Sequence, residues 1–118
     1  MKTRQLTADE VEFTLTVEAD DLPVRGAFDL GDPEETKKLE DELIARLERG
    51  DVWAKCIIKV TAKWGTWKGD DYLCGCSYRD EDQFTQDQYY EDMKFRALEN
   101  LNDRISVTVE SLKELLVP

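Results

Sequence analysis

The sequence predicts an α+β fold: a two-layer sandwich in which an antiparallel sheet of three to four strands lies against two helices, in the order β(β)αββα. Three observations predict it. Residues Val11 to Glu18 alternate strictly between apolar and polar. Residues 33 to 49 carry the start, the stripe and the stop of an amphipathic helix. Residues Val52 to Tyr78 read as a hairpin, and a second helical stripe follows it.

Met1 to Glu10 is polar and is expected to fray. In the next segment Val11, Phe13, Leu15 and Val17 share one face, the pattern of a half-buried strand. Ala19 to Pro23 breaks it with turn chemistry, and Val24 to Phe28 is a candidate short strand. Gly31-Asp32-Pro33-Glu34-Glu35 opens the helix. Asp32 can cap it, Pro33 suits its first position and Glu35 completes a D-x-x-E capping box. Leu39, Leu43, Ile44 and Leu47 form its apolar stripe, and Gly50 is the expected stop.

In the first hairpin strand Val52, Ala54, Cys56, Ile58, Val60, Ala62 and Trp64 form the inward set. Trp53, Lys55, Ile57, Lys59, Thr61 and Lys63 face outward. Two turns compete. A two-residue loop at Gly65-Thr66 turns Asp71, Leu73, Gly75 and Ser77 inward. A loop over 65 to 67 turns Tyr72, Cys74, Cys76 and Tyr78 inward and sets Cys56 opposite Cys76. The longer loop is preferred, because its inward set is the better core. Asp80-Glu81-Asp82 ends the strand and opens a loop or helical turn. From about residue 86, Tyr90, Met93, Ala97, Leu101, Ile105, Val109, Leu112 and Leu116 step by threes and fours. They predict one helix almost to the C-terminus, with the β-branched run at 105–109 as the place for a break.

The chain has 118 residues, enough for one domain with one core. Its 27 acidic and 16 basic residues give a net charge of −11. That charge opposes electrostatic binding to phosphate backbones and anionic membranes, and it speeds approach to basic surfaces. No apolar run reaches the ~20 residues of a membrane span. Three cysteines (Cys56, Cys74, Cys76) and an N-terminus without an apolar leader point to free thiols in a reducing cytoplasm. The absence of histidine removes the usual general base and the commonest metal ligand. With no catalytic or cofactor motif, the expectation is a protein that is not an enzyme and holds no cofactor and no metal.

Lys55, Lys59, Lys63 and Lys68 lie in an acid-free stretch beside Trp53. A basic strip with an aromatic is the pattern of a single-strand nucleic-acid groove. The alternative is a solvated sheet face whose lysines meet acids on neighbouring strands, such as Glu12 and Glu18. The acids admit three readings: a hard-cation site, phosphate mimicry, or plain solubility. No EF-hand spacing supports the first. Phosphate mimicry would present Asp70, Asp71, Asp80, Glu81 and Asp82 to a basic cleft, with Trp53 or Trp67 as an exposed anchor. Cys74-Gly75-Cys76 with Cys56 lacks a fourth zinc ligand and reads as reduced core residues.

Leu22-Pro23-Val24-Arg25-Gly26, Arg49-Gly50-Asp51-Val52-Trp53-Ala54 and the run from Asp71-Tyr72-Leu73 through Cys76-Ser77-Tyr78-Arg79-Asp80-Glu81 carry a likeness, with Tyr90 and Asp92-Met93 after them. Over roughly residues 20 to 105 the chain resembles small acidic proteins encoded by bacteriophages and other bacterial mobile elements. The resemblance brings no catalytic or binding residue with it. It implies a bacterial host cell and suggests an anti-restriction or anti-CRISPR role. The expected function is a protein-binding module that inhibits a basic, nucleic-acid-binding host protein by occupying its site. The alternative is a nucleic-acid-binding accessory protein using the lysine strip of 52–78.

Overall fold

The alternation of the first apolar segment becomes strand β1, Glu12–Ala19, with Phe13, Leu15 and Val17 half-buried and their neighbours exposed. The computed structural model describes residues 4–117. Helix α1 spans Pro33–Glu48, strand β2 Cys56–Trp64, strand β3 Trp67–Cys76, helix α2 Glu81–Thr85 and helix α3 Gln88–Lys113. The strands form a three-stranded antiparallel sheet in the order β1-β2-β3, so the fold is α+β. The fourth strand proposed at Val24 to Phe28 does not form. That segment is a turn, and Val24 is buried against α1 instead.

Local signals account for the helix ends. The Asp32 carboxylate accepts the Glu34 N–H at 2.9 Å, satisfying an end group that the helix cannot satisfy itself. At the other end the Asp51 N–H donates to the Arg46 carbonyl at 2.9 Å, and Gly50, at φ 84°, lets the chain reverse. Helix α3 runs unbroken through 105–109, and the Thr108 and Ser111 hydroxyls donate to the Arg104 and Val107 carbonyls one turn back.

The hairpin combines features of both expected registers. Its turn is the two-residue Gly65-Thr66, with Gly65 at φ 60°. Trp64 therefore faces Trp67, and Gly69, Asp71 and Leu73 share the face of Ala62, Val60 and Ile58. Tyr72 and Cys74, preferred above as core residues, are exposed, and so is Trp64. Yet the Cys56 and Cys76 sulfurs are 3.4 Å apart. In a strand paired evenly from that turn Cys56 would face Gly75. One extra residue therefore sits in β3 before Cys76. Gly75, at φ 68°, supplies the left-handed conformation that such a bulge demands. Upstream of β2, Val52–Ala54 is a 3-10 turn, so the first strand begins four residues later than its apolar alternation suggests.

The chain packs as two compact units built from interleaved segments. The first contains Met1–Leu15, Lys59–Asp71 and Gln88–Pro118. Its core lies under α3, where Met93, Ala97 and Leu101 are buried in the stripe the sequence predicts. Gly69 lies so close to that stripe that a Cβ there would fall 2.2 Å from the Leu101 nitrogen. A polar row on α3 borders the contact. Arg96 pairs with Asp71, Asn100 donates to the Asp70 carbonyl at 2.8 Å, and Arg104 donates to the Lys68 carbonyl at 2.9 Å. The N-terminal segment is not frayed from Arg4 onward; Met1 to Thr3 lie outside the described residues. Leu6 is buried, and its N–H and C=O are both bonded by the Asn102 side chain.

The second unit contains Thr16–Ile58 and Tyr72–Asp87. Leu43 of α1 packs with Val24 and Ala54, flanked by Phe28, Leu39, Ile44 and Leu47. Phe84 of α2 is fully buried and meets the Tyr78 ring edge-on at 5.0 Å and the Trp53 ring at 5.9 Å.

Candidate functional site

The lysine strip is the feature the structure changes most. Lys55 lies just ahead of β2 and is 1% exposed. Its ammonium donates to the Asp20 carboxylate at 2.7 Å and to the Leu22 carbonyl at 3.2 Å. The side chain therefore ties the loop after β1 to the start of β2. Lys55, placed on the outward face from sequence with its exposure left open, is buried together with its acidic partner: the Asp20 side chain is 6% exposed. The physical reason is the 3-10 turn, which removes residues 52–55 from the strand's alternation. Lys59 is half-buried, while Lys63 and Lys68 are exposed. These three belong to the first unit and Lys55 to the second.

The aromatic anchors fare similarly. Trp53 is not an outward, open side chain. It is half-buried in the ring cluster with Tyr78 and Phe84. Trp67 is half-buried as the first residue of β3. Of the carboxylates named from sequence, Asp70 accepts from the Thr61 hydroxyl at 2.7 Å and Asp71 pairs with Arg96 at 2.9 Å, so both are committed to the first unit's own structure. Asp80 caps α2 by accepting the Gln83 N–H at 2.9 Å. Glu81 and Asp82 are exposed in the first turn of α2.

Three ionic clamps that sequence reasoning missed brace the second unit. Beside Lys55–Asp20, Arg25 spans Glu40 at 3.1 Å and Asp41 at 2.6 Å, and Glu40 also accepts the Gly26 N–H at 2.9 Å. Arg46 donates to Asp51 at 2.8 Å and to the Tyr78 carbonyl at 2.6 Å. The physical consequences agree in sign. The Lys55 hydrogen bond holds Asp20 below the usual carboxylate range, the Gly26 N–H and then Arg25 lower Glu40, and Arg46 lowers Asp51. Only one of the participants carried a local signal: Glu40 lies beside the Leu39–Leu43 stripe. Lys55 and Asp20 are 35 residues apart in sequence and Arg25 and Glu40 are 15 apart, whereas Arg46 and Asp51 are only five apart.

Carboxylates held below their ordinary values stabilise the folded state above those values, and the stabilisation is lost as pH falls through the lowered ones. R46Q is therefore expected to destabilise the protein at neutral pH. The gap to wild type, read from urea midpoints, should narrow below about pH 4 as Asp51 protonates. It should not close, because the bonds to the Tyr78 and Arg79 carbonyls do not titrate. A gap independent of pH would contradict the Arg46–Asp51 assignment.

After these clamps, the charge left over is unevenly divided. The second unit has sixteen acidic and seven basic residues, net −9, whereas the first has eleven and nine, net −2. Asp29, Asp32, Glu34 and Glu35 stand exposed around the start of α1, and Glu42 and Glu48 are exposed farther along it. Among the described residues none of these six carboxylates is in a salt bridge, and neither are Glu81 and Asp82. A cleft of about 700 Å³ in the same unit is lined by Leu22, Pro23, Arg25, Ile57 and Cys74, with the Lys55–Asp20 pair. Among the described residues, no group of three or more metal-ligating side chains is gathered, and no helix is long and apolar enough to cross a membrane. No family model, curated protein or solved structure matches the chain.

Proposed function

We propose that the chain is a non-enzymatic, protein-binding module of phage or mobile-element origin. It engages a basic, nucleic-acid-binding protein of a bacterial host through the carboxylates of the second unit. If that partner is a defence nuclease, the complex is inhibitory, because the carboxylates stand where phosphates would. The observation that carries the reading is the charge division: net −9 in one unit and −2 in the other. A potential focused on one unit steers a basic partner in quickly and gives the complex a marked salt dependence. The same division weighs against the lysine strip as a nucleic-acid groove, since Lys55 is buried in an ion pair.

The surface differs from the one expected from sequence. Asp70 and Asp71 leave it, Glu81 and Asp82 stay, and Glu34, Glu35 and Glu42 join it. The test is affinity capture from nuclease-treated host lysate on wild type and on a variant with Glu34, Glu35, Glu42 and Glu81 changed to Gln. The expected result is a nucleic-acid-binding protein retained by wild type, displaced by its own DNA or RNA, and lost from the variant. Equal capture by both forms would overturn the reading. Tight binding of single-stranded DNA by the chain itself at moderate salt would replace it with the lysine-strip alternative.

A further inference from the structure

Cys56 and Cys76 are placed as a pair by a feature that packing alone does not require. Cys56 is fully buried on β2, and Cys76 is half-buried at the end of β3. Their sulfurs are 3.4 Å apart. Each thiol also lies against the other residue's carbonyl, Cys56 at 3.5 Å and Cys76 at 3.4 Å. The bulge at Gly75 brings them together; without it Cys56 would face a glycine. The third cysteine, Cys74, falls on the opposite, exposed side of the same bulge. With the sulfurs already 3.4 Å apart, closing to a bond of about 2.05 Å asks the two sulfurs to approach by roughly 1.4 Å.

We propose that Cys56 and Cys76 are a reversible disulfide site, closed by a small peroxide and opened by thiols. Cys76 is the less buried residue of the pair and the one assigned to meet the peroxide. Its thiolate attacks one peroxide oxygen and the O–O bond breaks. The departing hydroxide takes up the proton released by the Cys76 thiol and leaves as water. The Cys56 sulfur then attacks the Cys76 sulfenic acid; the S–S bond forms and the S–O bond breaks. The hydroxyl leaves with the Cys56 proton as a second water. Two thiols are oxidised and one peroxide is reduced to two waters. The acid–base properties match these roles. The hydrogen bond from Cys56 holds Cys76 below the ordinary thiol range, while that contact and then burial push Cys56 up. The closed form staples β2 to β3 at the open end of the hairpin and restricts the unfolded chain.

The full chain is treated with hydrogen peroxide, denatured, alkylated and peptide-mapped. The expected result is a Cys56–Cys76 link that dithiothreitol reverses, with Cys74 outside it, and a higher melting temperature for the linked form. C74S, a change at an exposed position, keeps both the link and the temperature rise. The proposal is overturned if Cys56 is still alkylated after Cys74 and Cys76 have oxidised, or if C74S abolishes the link.

Discussion

Replacing Gly69 by alanine is expected to cost at least about 3 kcal/mol of stability, the upper part of the range for overpacking a close-packed interior. The new Cβ would fall 2.2 Å from the Leu101 nitrogen, 2.4 Å from the Ala97 carbonyl oxygen and 2.7 Å from the Leu101 Cα. All three are backbone atoms of α3, so no side-chain rotation relieves the contact. Relief requires moving the helix away from β3. That would pull Asn100 off the Asp70 carbonyl and Arg104 off the Lys68 carbonyl, and would separate Arg96 from Asp71. The glycine is there for space. Gly65 is the matching control: it has φ 60° with nothing within 4 Å of its would-be Cβ. G65A should cost only the backbone term of about 1 kcal/mol. Urea denaturation of the two variants measures the contrast. A G69A loss no larger than that of G65A would mean that α3 does not approach β3 this closely.

Replacing Lys55 by methionine is expected to cost about 3 kcal/mol, because it leaves a buried carboxylate without its cation while keeping most of the apolar stem. Both side chains are almost fully enclosed, at 2% and 6% exposure. An exposed surface pair would contribute well under about 1 kcal/mol. The magnitude therefore decides between a buried clamp and an outward strip lysine. The double variant D20L/K55M should recover most of the loss, since an apolar pair of similar volume often replaces a buried ion pair with little penalty. A single-variant loss within the surface range would return Lys55 to the strip.

What was legible in the sequence followed from signals within a few residues of one another. Asp32-Pro33 and Gly50 mark the ends of α1 because capping is local, and the 3–4 spacing from Tyr90 onward marks α3 because a helix repeats over its whole length. The inward run of Cys56, Ile58, Val60 and Ala62 is fully buried, as its alternation implies. What was not legible depended on distant partners or on a single irregular residue. The register of β3 turns on Gly75, whose positive φ adds one residue and reverses the faces that alternation assigns. Tyr72 and Cys74 looked like core residues because they alternate with Cys76, but the two-residue turn at Gly65-Thr66 sets them outward and the bulge at Gly75 brings only Cys76 back inward. Lys55 reads as a strand lysine until Asp20 closes over it, and Trp53 reads as exposed until Phe84 arrives from α2. Asp70 and Asp71 read as surface acids because Thr61 and Arg96 are their partners only once the first unit has folded.

The cluster of acids at the start of α1 was visible as composition, but its place in the more acidic of the two units was not. Its weight comes from the division of charge between the units, and that division requires knowing which segments pack together. The central claim is that the second unit's carboxylates, and not net charge alone, recognise a basic partner. The direct measurement is the salt dependence of binding to the captured protein, for wild type and two variants with four charges neutralised each. One carries Gln at Glu34, Glu35, Glu42 and Glu81. The other changes Glu12, Glu99 and Glu114 to Gln and Asp103 to Asn in the first unit. Weaker binding and a shallower salt slope are expected for the first variant, and near-wild-type behaviour for the second. Equal losses in the two variants, or none in either, would contradict the central claim.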